Sequence, residues 1–194
     1  MVDLKTDFLK EIANIGLGHA ATSLSKMTDN ARIDISLPEI DILPYDKLIS
    51  SKTKNFCAVK TGIDGTTRGA LIIMFDDATS FWVIDKIMGN PIGTTKIFDE
   101  MGVSAIKEFT NIIGGSFLTS LSDFMNYSMM PKLPEIFTGK GAEIKDALKA
   151  SILKETKDMI HVKTEIYIDK KKIESQIFLI LDKESFDMMY KKML

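Results

Sequence analysis

The chain has 194 residues, 45% of them hydrophobic and 27% charged, enough for one well-buried domain or two small ones and too apolar for a disordered chain. A net charge of −2 supplies no basic field for nucleic acid, and one cysteine with two histidines excludes an intrachain disulfide and a tetrahedral zinc site. The longest apolar run, ALIIMF at 70–75, falls far short of a membrane span, and the charged, periodic start MVDLKTDFLK does not read as a signal peptide, so a cytoplasmic, unanchored protein is expected.

In chain order, the first predicted element is a long helix carrying residues 7 to 27, followed by a strand at ARIDIS, residues 31–36. The stretch DILPYDKLISS leads to a strand hairpin at 56–76, where Asp64-Gly65 supplies the positive φ of a tight turn, and a short closing helix follows. The second half repeats this order. A long helix carries residues 104 to 122, NYSMMP at 126–131 reads as a strand, MIHVKTEIYIDKKKIESQIFLILD at 159–182 alternates around a Lys-rich turn, and DMMYKKML closes the chain as a helix. KGAEIKDALKASILKE at 140–155 has helical periodicity and no close counterpart in the first half.

The repetition is residue by residue. Ser104, Glu108, Asn111, Ile112, Gly115, Leu121 and Ser122 each lie 97 residues after Asp7, Glu11, Asn14, Ile15, Gly18, Leu24 and Ser25. The sequence LPEI recurs at 37–40 and 133–136, and VKT at 59–61 and 162–164, so the displacement drifts through loop insertions. The expected fold is therefore α+β, an internally duplicated pseudo-twofold domain with a roughly six-stranded, largely antiparallel sheet and two long helices exposed on one face. The repeats span about 1–93 and 98–194 of a single domain, because no Gly/Ser/Pro-rich linker separates them.

At about 100° per residue, Phe8, Leu9, Ile12, Ala13, Ile15, Leu17, Leu24 and Met27 fall on one arc of the first helix, which is expected to be buried. Asp7, Glu11, Asn14, Gly18 and Ser25 fall on the opposite arc, and Ser104, Glu108, Asn111, Gly115 and Ser122 do the same on the second helix. Asn and Gly both disfavour a helix interior, Gly by about 1 kcal/mol against Ala. Their retention on both helices asks for a reason. Gly16 and Gly114 lie nearer the buried arc and suit close packing, whereas Gly18 and Gly115 flank the polar pair, where a missing side chain lets another surface approach.

A carboxylate and a carboxamide three residues apart form no nucleophile and no metal site. The Asn amide can accept from and donate to one water and so hold it in a fixed direction, a role known in phosphoryl transfer. The Glu carboxylate would repel a phosphoryl group, and its sensible task is to pair with a cation of whatever brings the phosphate. Such a site hydrolyses only a phosphoryl bond already activated by its partner.

At these residues the sequence resembles the CheC family of chemotaxis phosphatases, which also includes CheX and FliY. The family pattern is Asp or Ser, three residues, Glu, two residues, Asn, about 22 residues, then Pro. Here Asp7-Glu11-Asn14 leads to Pro38 across 23 residues, and Ser104-Glu108-Asn111 leads to Pro134 across 22. The resemblance implies hydrolysis of the phospho-aspartate of the response regulator CheY, with Asn14 and Asn111 orienting water, Glu11 and Glu108 pairing with a regulator lysine, and Mg²⁺ held by the regulator rather than by this chain. Two intact motifs favour a CheC-like member over CheX, and with the second repeat reaching Leu194 the C-terminal switch domain of FliY is not expected. Members of this kind are also expected to bind the deamidase CheD, for which residues 140–155 are the candidate, and a monomer without nucleic-acid or membrane partners is expected.

GLG at 16–18 lies inside a helix and lacks the strand that a nucleotide fingerprint needs, and TGKG at 138–141 lacks phosphate-loop spacing. His19 and His161 read as hydrogen-bonded structural residues. The rival to an enzyme is an adaptor that holds CheD or the phosphorylated regulator without turnover.

Overall fold

The computed structural model of the chain describes residues 4–49, 51–152 and 158–192. Helix α1 (Leu4–Met27) precedes two short strands, β1 (Ile33–Ile35) and β2 (Glu39–Pro44), and a 3-10 turn at Tyr45–Lys47. The first hairpin is β3 (Asn55–Gly65) and β4 (Gly69–Asp76), closed by α2 (Asp77–Met88). The second half runs α3 (Glu100–Met125), β5 (Met129–Lys140), α4 (Gly141–Ser151), β6 (Asp158–Ile168), β7 (Lys171–Leu181) and α5 (Lys183–Lys192). No helix among the described residues is long and apolar enough to cross a membrane.

The strands form one seven-stranded sheet, ordered β1-β6-β7-β4-β3-β5 with β2 also on β6, and every pairing is antiparallel. The expected six strands become seven because the first half's edge strand is broken. Pro38, which has no N–H to donate, stands in the break between β1 and β2. Ser36 bridges it: its amide donates to the Glu165 carbonyl at 2.9 Å, and its hydroxyl oxygen accepts from the Glu165 amide at 2.9 Å.

The two halves exchange their edges. β1 and β2 of the first half lie on β6 of the second, while β5 of the second half lies on β3 of the first. Between them the two hairpins join through β4 and β7, from Gly69 opposite Leu181 to Met74 opposite Gln176. Each half thus completes the other's sheet.

ALIIMF reads as a continuous apolar run because its strand is covered on both sides. Leu71, Ile73 and Phe75 of β4 pack under α1 and α3, together with Ile177 and Leu179 of β7. Ile72 and Met74 turn the other way, with Phe178 and Ile180, into a second cluster closed by Leu48, Ile49 and the α4 residues Ile144 and Leu148. Helix α4 therefore caps the far face of the sheet, and residues 153–155 of the segment proposed for CheD lie outside the described residues.

The connection between halves is fixed by one buried carboxylate. Asp85 at the end of α2 accepts hydrogen bonds from the amides of Gly93, Thr94 and Thr95 and from the Thr95 hydroxyl, at 2.6 to 3.0 Å. The Lys-rich turn of the second hairpin is a two-residue turn with positive φ at Asp169 (49°) and Lys170 (69°). In the first hairpin the strand runs through Gly65 itself. Gly65 has φ of 121°, and a Cβ there would stand 2.7 Å from the Ser128 carbonyl oxygen, so glycine is required for the approach of β5.

His161 departs from the expected hydrogen-bonded residue. It is buried on β6, stacks on Phe178 at 4.4 Å between ring centroids, and neither ring nitrogen has a hydrogen-bond partner among the described residues. Burial, helped by the Lys163 ammonium and opposed by Asp41, pushes its pKa down to about 4. In the unfolded chain a histidine titrates near ~6.5. The unfolded state therefore binds the extra proton first as pH falls, and the stability present above that value is lost down to about pH 4. Urea unfolding of the wild type and of His161→Leu at pH 7.5 and pH 4.5 should show the wild type losing up to ~3 kcal/mol more than the variant.

Candidate functional site on the paired helices

Helices α1 and α3 lie side by side and antiparallel. Phe8, near the start of α1, meets Phe124, near the end of α3, edge to face at 4.6 Å. At the middle, Gly16 sits against the α3 backbone, where a Cβ would stand 2.9 Å from Phe117 Cα and 3.1 Å from the Ser116 carbonyl oxygen. Gly114 packs down onto the sheet, its missing Cβ 2.8 Å from Leu71 Cδ2. These two glycines are structural, as their place near the buried arc suggests.

The other two glycines are open. A Cβ at Gly18 or at Gly115 would meet nothing within 4 Å. On the same outward face Asp7, Glu11 and Asn14 of α1 are exposed, and so are Ser104, Glu108 and Asn111 of α3. Behind them Leu9, Ile12, Ala13 and Leu17, and Ile106, Phe109, Ile113 and Phe117, anchor the two helices in the core. The backbone of each Glu/Asn pair is thus held by packing, while the side chains remain free.

Among the described residues no hydrogen bond or ion pair occupies the side chains of Glu11, Asn14, Glu108 or Asn111. Asp7 is different, since its carboxylate lies 3.6 Å from Lys10 Nζ one turn along, and both side chains are about half exposed. The second site has an uncharged Ser104 in that position. Unsatisfied, exposed donors and acceptors are solvated at rest and available to a partner.

Three assignments from the helical projection change. Ser25 and Ser122, placed on the outward arc, are half-buried and finish their helices: the Ser25 hydroxyl donates to the Ala31 carbonyl at 2.8 Å and the Ser122 hydroxyl to the Tyr127 carbonyl at 2.6 Å. Ile15, placed on the buried arc, is 41% exposed beside Glu11, and its repeat counterpart Ile112 is half-buried. Met101, outside the expected polar face, is 66% exposed and continues the stripe of Ser104, Glu108 and Asn111 two turns before Glu108. The repeat puts Leu4 in the same position of the first helix, a signal present in the sequence. The motif prolines belong to the sheet rather than to the helices, Pro38 buried at the β1–β2 break and Pro134 half-buried in β5 opposite Thr61.

A cleft of about 260 Å³ lies on the α4 side of the sheet, between Lys60, Leu133, Ile152 and Ile180. Lys60 there pairs with Glu135 at 2.7 Å and donates to the Ser151 carbonyl at the end of α4. The Glu/Asn pairs stand instead on an open helical surface. Such a surface suits a macromolecular partner rather than an enclosed small molecule.

Comparison with known proteins bears on the family of the chain. The family model described as "Chemotaxis phosphatase CheX" matches residues 57–157, and that of the "CheC-like family" matches residues 4–42, across the first Glu/Asn pair. "CheY-P phosphatase CheC" of Bacillus subtilis (strain 168) is 28% identical over 194 residues, covering 95% of this chain and 91% of that protein. Among solved structures, FliY of Thermotoga maritima superposes with a TM-score of 0.78 at 21% identity, over 100% of this chain and 97% of that one. A complex of CheX with CheY, BeF3 and magnesium from Borrelia burgdorferi gives a TM-score of 0.57 at 20% identity, over 88% of this chain and 97% of the matched one. With the matching family model covering more than half of its length, the chain belongs to the CheC, CheX and FliY family of chemotaxis phosphatases.

Proposed function

We propose that this protein hydrolyses the phospho-aspartate of a CheY-type response regulator, with Glu11/Asn14 and Glu108/Asn111 as two catalytic pairs. The observation that carries this reading is the duplication of an exposed Glu/Asn pair, without partners among the described residues, on two helices whose buried faces are locked. A surface residue without a task would be free to vary between repeats, and Asn would not be favoured in a helix interior.

The chemistry divides between the two proteins. The regulator supplies the acyl phosphate, and its Mg²⁺ neutralises charge on the phosphoryl oxygens. The Asn amide enters beside the phosphorus, accepts from one water and donates to it, and so fixes the water in line with the bond to the aspartate oxygen. Water oxygen bonds to phosphorus, the P–O bond to the aspartate breaks, and its electron pair stays on the released carboxylate. Asn takes no proton; those of the water leave with phosphate and solvent. The Glu carboxylate, one turn before it, pairs with a regulator cation and holds the two surfaces in register. Gly18 and Gly115 leave room for that approach.

The test is phosphate release from a phosphorylated CheY-type receiver with and without this protein, at equal Mg²⁺. At least tenfold faster release is expected. A rate unchanged at saturating protein, with binding intact, would leave the adaptor reading instead. An adaptor for CheD would use the outer face of α4, where Ala142, Asp146 and Ala147 are exposed opposite the buried Ile144 and Leu148.

A further inference from the structure

The register of the two helices sets the distance between the two pairs. Asn111 lies six residues before Phe117, so it is level with Thr22, six residues beyond Gly16. From Asn14 to that level is eight residues, ~12 Å along the axis at 1.5 Å per residue. With axes ~8–10 Å apart, as the Gly16 contact requires, the two amides stand ~15 Å apart and the two carboxylates ~23 Å. Gly18 and Gly115 are level with each other in this register, and both are open. They mark the middle of the face.

A specific protein partner covers about 800 Å² of each surface, a disc ~32 Å wide. A receiver domain of ~120 residues is itself ~35 Å across. Two such discs, centred ~15–23 Å apart on one helical layer, overlap across ~9–17 Å, and two bodies ~35 Å across cannot stand side by side with their centres that close.

Resting on the proposed phosphatase reading, we infer that the outward face of α1 and α3 is a single docking surface that takes one receiver domain at a time. The receiver binds in either of two orientations related by the pseudo-twofold axis between Gly18 and Gly115. The catalytic pairs use different residues, but the ground around the two glycines lies under the receiver in both orientations. Occupancy of one pair therefore excludes the other, and a receiver held at a slow pair inhibits turnover at the fast one.

Stoichiometry and kinetics test this together. Sedimentation velocity of the protein with a fourfold excess of BeF3-activated CheY-type receiver should give a complex limited to one receiver per chain. A complex with two receivers on one chain would overturn the shared face while leaving the phosphatase reading intact. In steady-state assays Glu11→Lys and Glu108→Lys, each closing one orientation, give the second measurement. Exclusive occupancy makes wild-type kcat an average, which falls between the kcat values of the two variants. Simultaneous occupancy makes it their sum, exceeding both, and that result would also overturn the inference. Absence of any complex, or a complex untouched by the double charge reversal, would remove the phosphatase reading and this inference with it.

Discussion

Replacing Asn14 and Asn111 together by alanine is expected to lower the protein-stimulated release of phosphate by ~10²-fold or more, to the regulator's own rate. Both amides are exposed and have no partner among the described residues, so no contact described in the fold depends on them. Alanine is the better helix former by roughly 0.5 kcal/mol at each position, so the double variant should unfold at the same temperature or slightly higher. The receiver should still bind, because the glutamates remain. Phosphate release, receiver affinity and thermal midpoint measured on one preparation separate the possibilities. Unchanged release would remove water positioning from the mechanism, and a large fall in midpoint would make the asparagines structural. Either single variant should retain activity, since each water is positioned by its own helix.

The polar stripe was legible because the duplication samples it twice. One exposed Glu with an Asn three residues on carries almost no information, but the same pair recurring 97 residues later, with glycine one turn beyond, separates a retained surface from an arbitrary one. The distinction between the two kinds of glycine was legible for the same reason: helical phase puts Gly16 and Gly114 inward and Gly18 and Gly115 outward, and the structure finds backbone or side chain against the first two and open space at the others. Ile15 departs from the expected buried arc because that expectation infers burial from apolar identity. Its phase is that of Glu11, and its exposure is what the phase alone predicts.

The sheet was less legible. Alternation within MIHVKTEIYI and ARIDIS identifies strands but not their neighbours, because a strand's hydrogen-bonding edge leaves no mark in side-chain pattern. The exchange of edges between halves, β1 and β2 onto β6 and β5 onto β3, is thus a property of the fold that no single strand announces. The break at Pro38 was visible as a proline but not as a break, since edge strands tolerate proline, and Pro134 lies within an unbroken β5. A buried polar ring is usually hydrogen-bonded, which is the expectation for His161. Here the flat stack on Phe178 takes that place, and the cost is carried as a depressed pKa.

The open glycines give the second large effect, in which stability and activity move in opposite directions. Gly18→Leu with Gly115→Leu replaces two poor helix formers by good ones at positions where a Cβ meets nothing within 4 Å. A gain of about 1 kcal/mol per site is expected in urea unfolding. The new side chains stand on the middle of the docking face, one turn from each asparagine, where a receiver must approach the helix backbone. Receiver affinity and phosphate release should both fall by ~10²-fold, the size of the penalty for two protruding groups in an otherwise complementary interface. Gly16→Leu makes the contrast: its Cβ would lie 2.9 Å from Phe117 Cα, so overpacking should cost ~3 kcal/mol despite the same gain in helix propensity. If the doubly substituted outward variant is more stable and fully active, no partner approaches the face between the helices, and the asparagines and glutamates beside it lose their proposed substrate. If it is stabilised and inactive, the glycines are retained against the helix's own preference because the partner needs the space they leave.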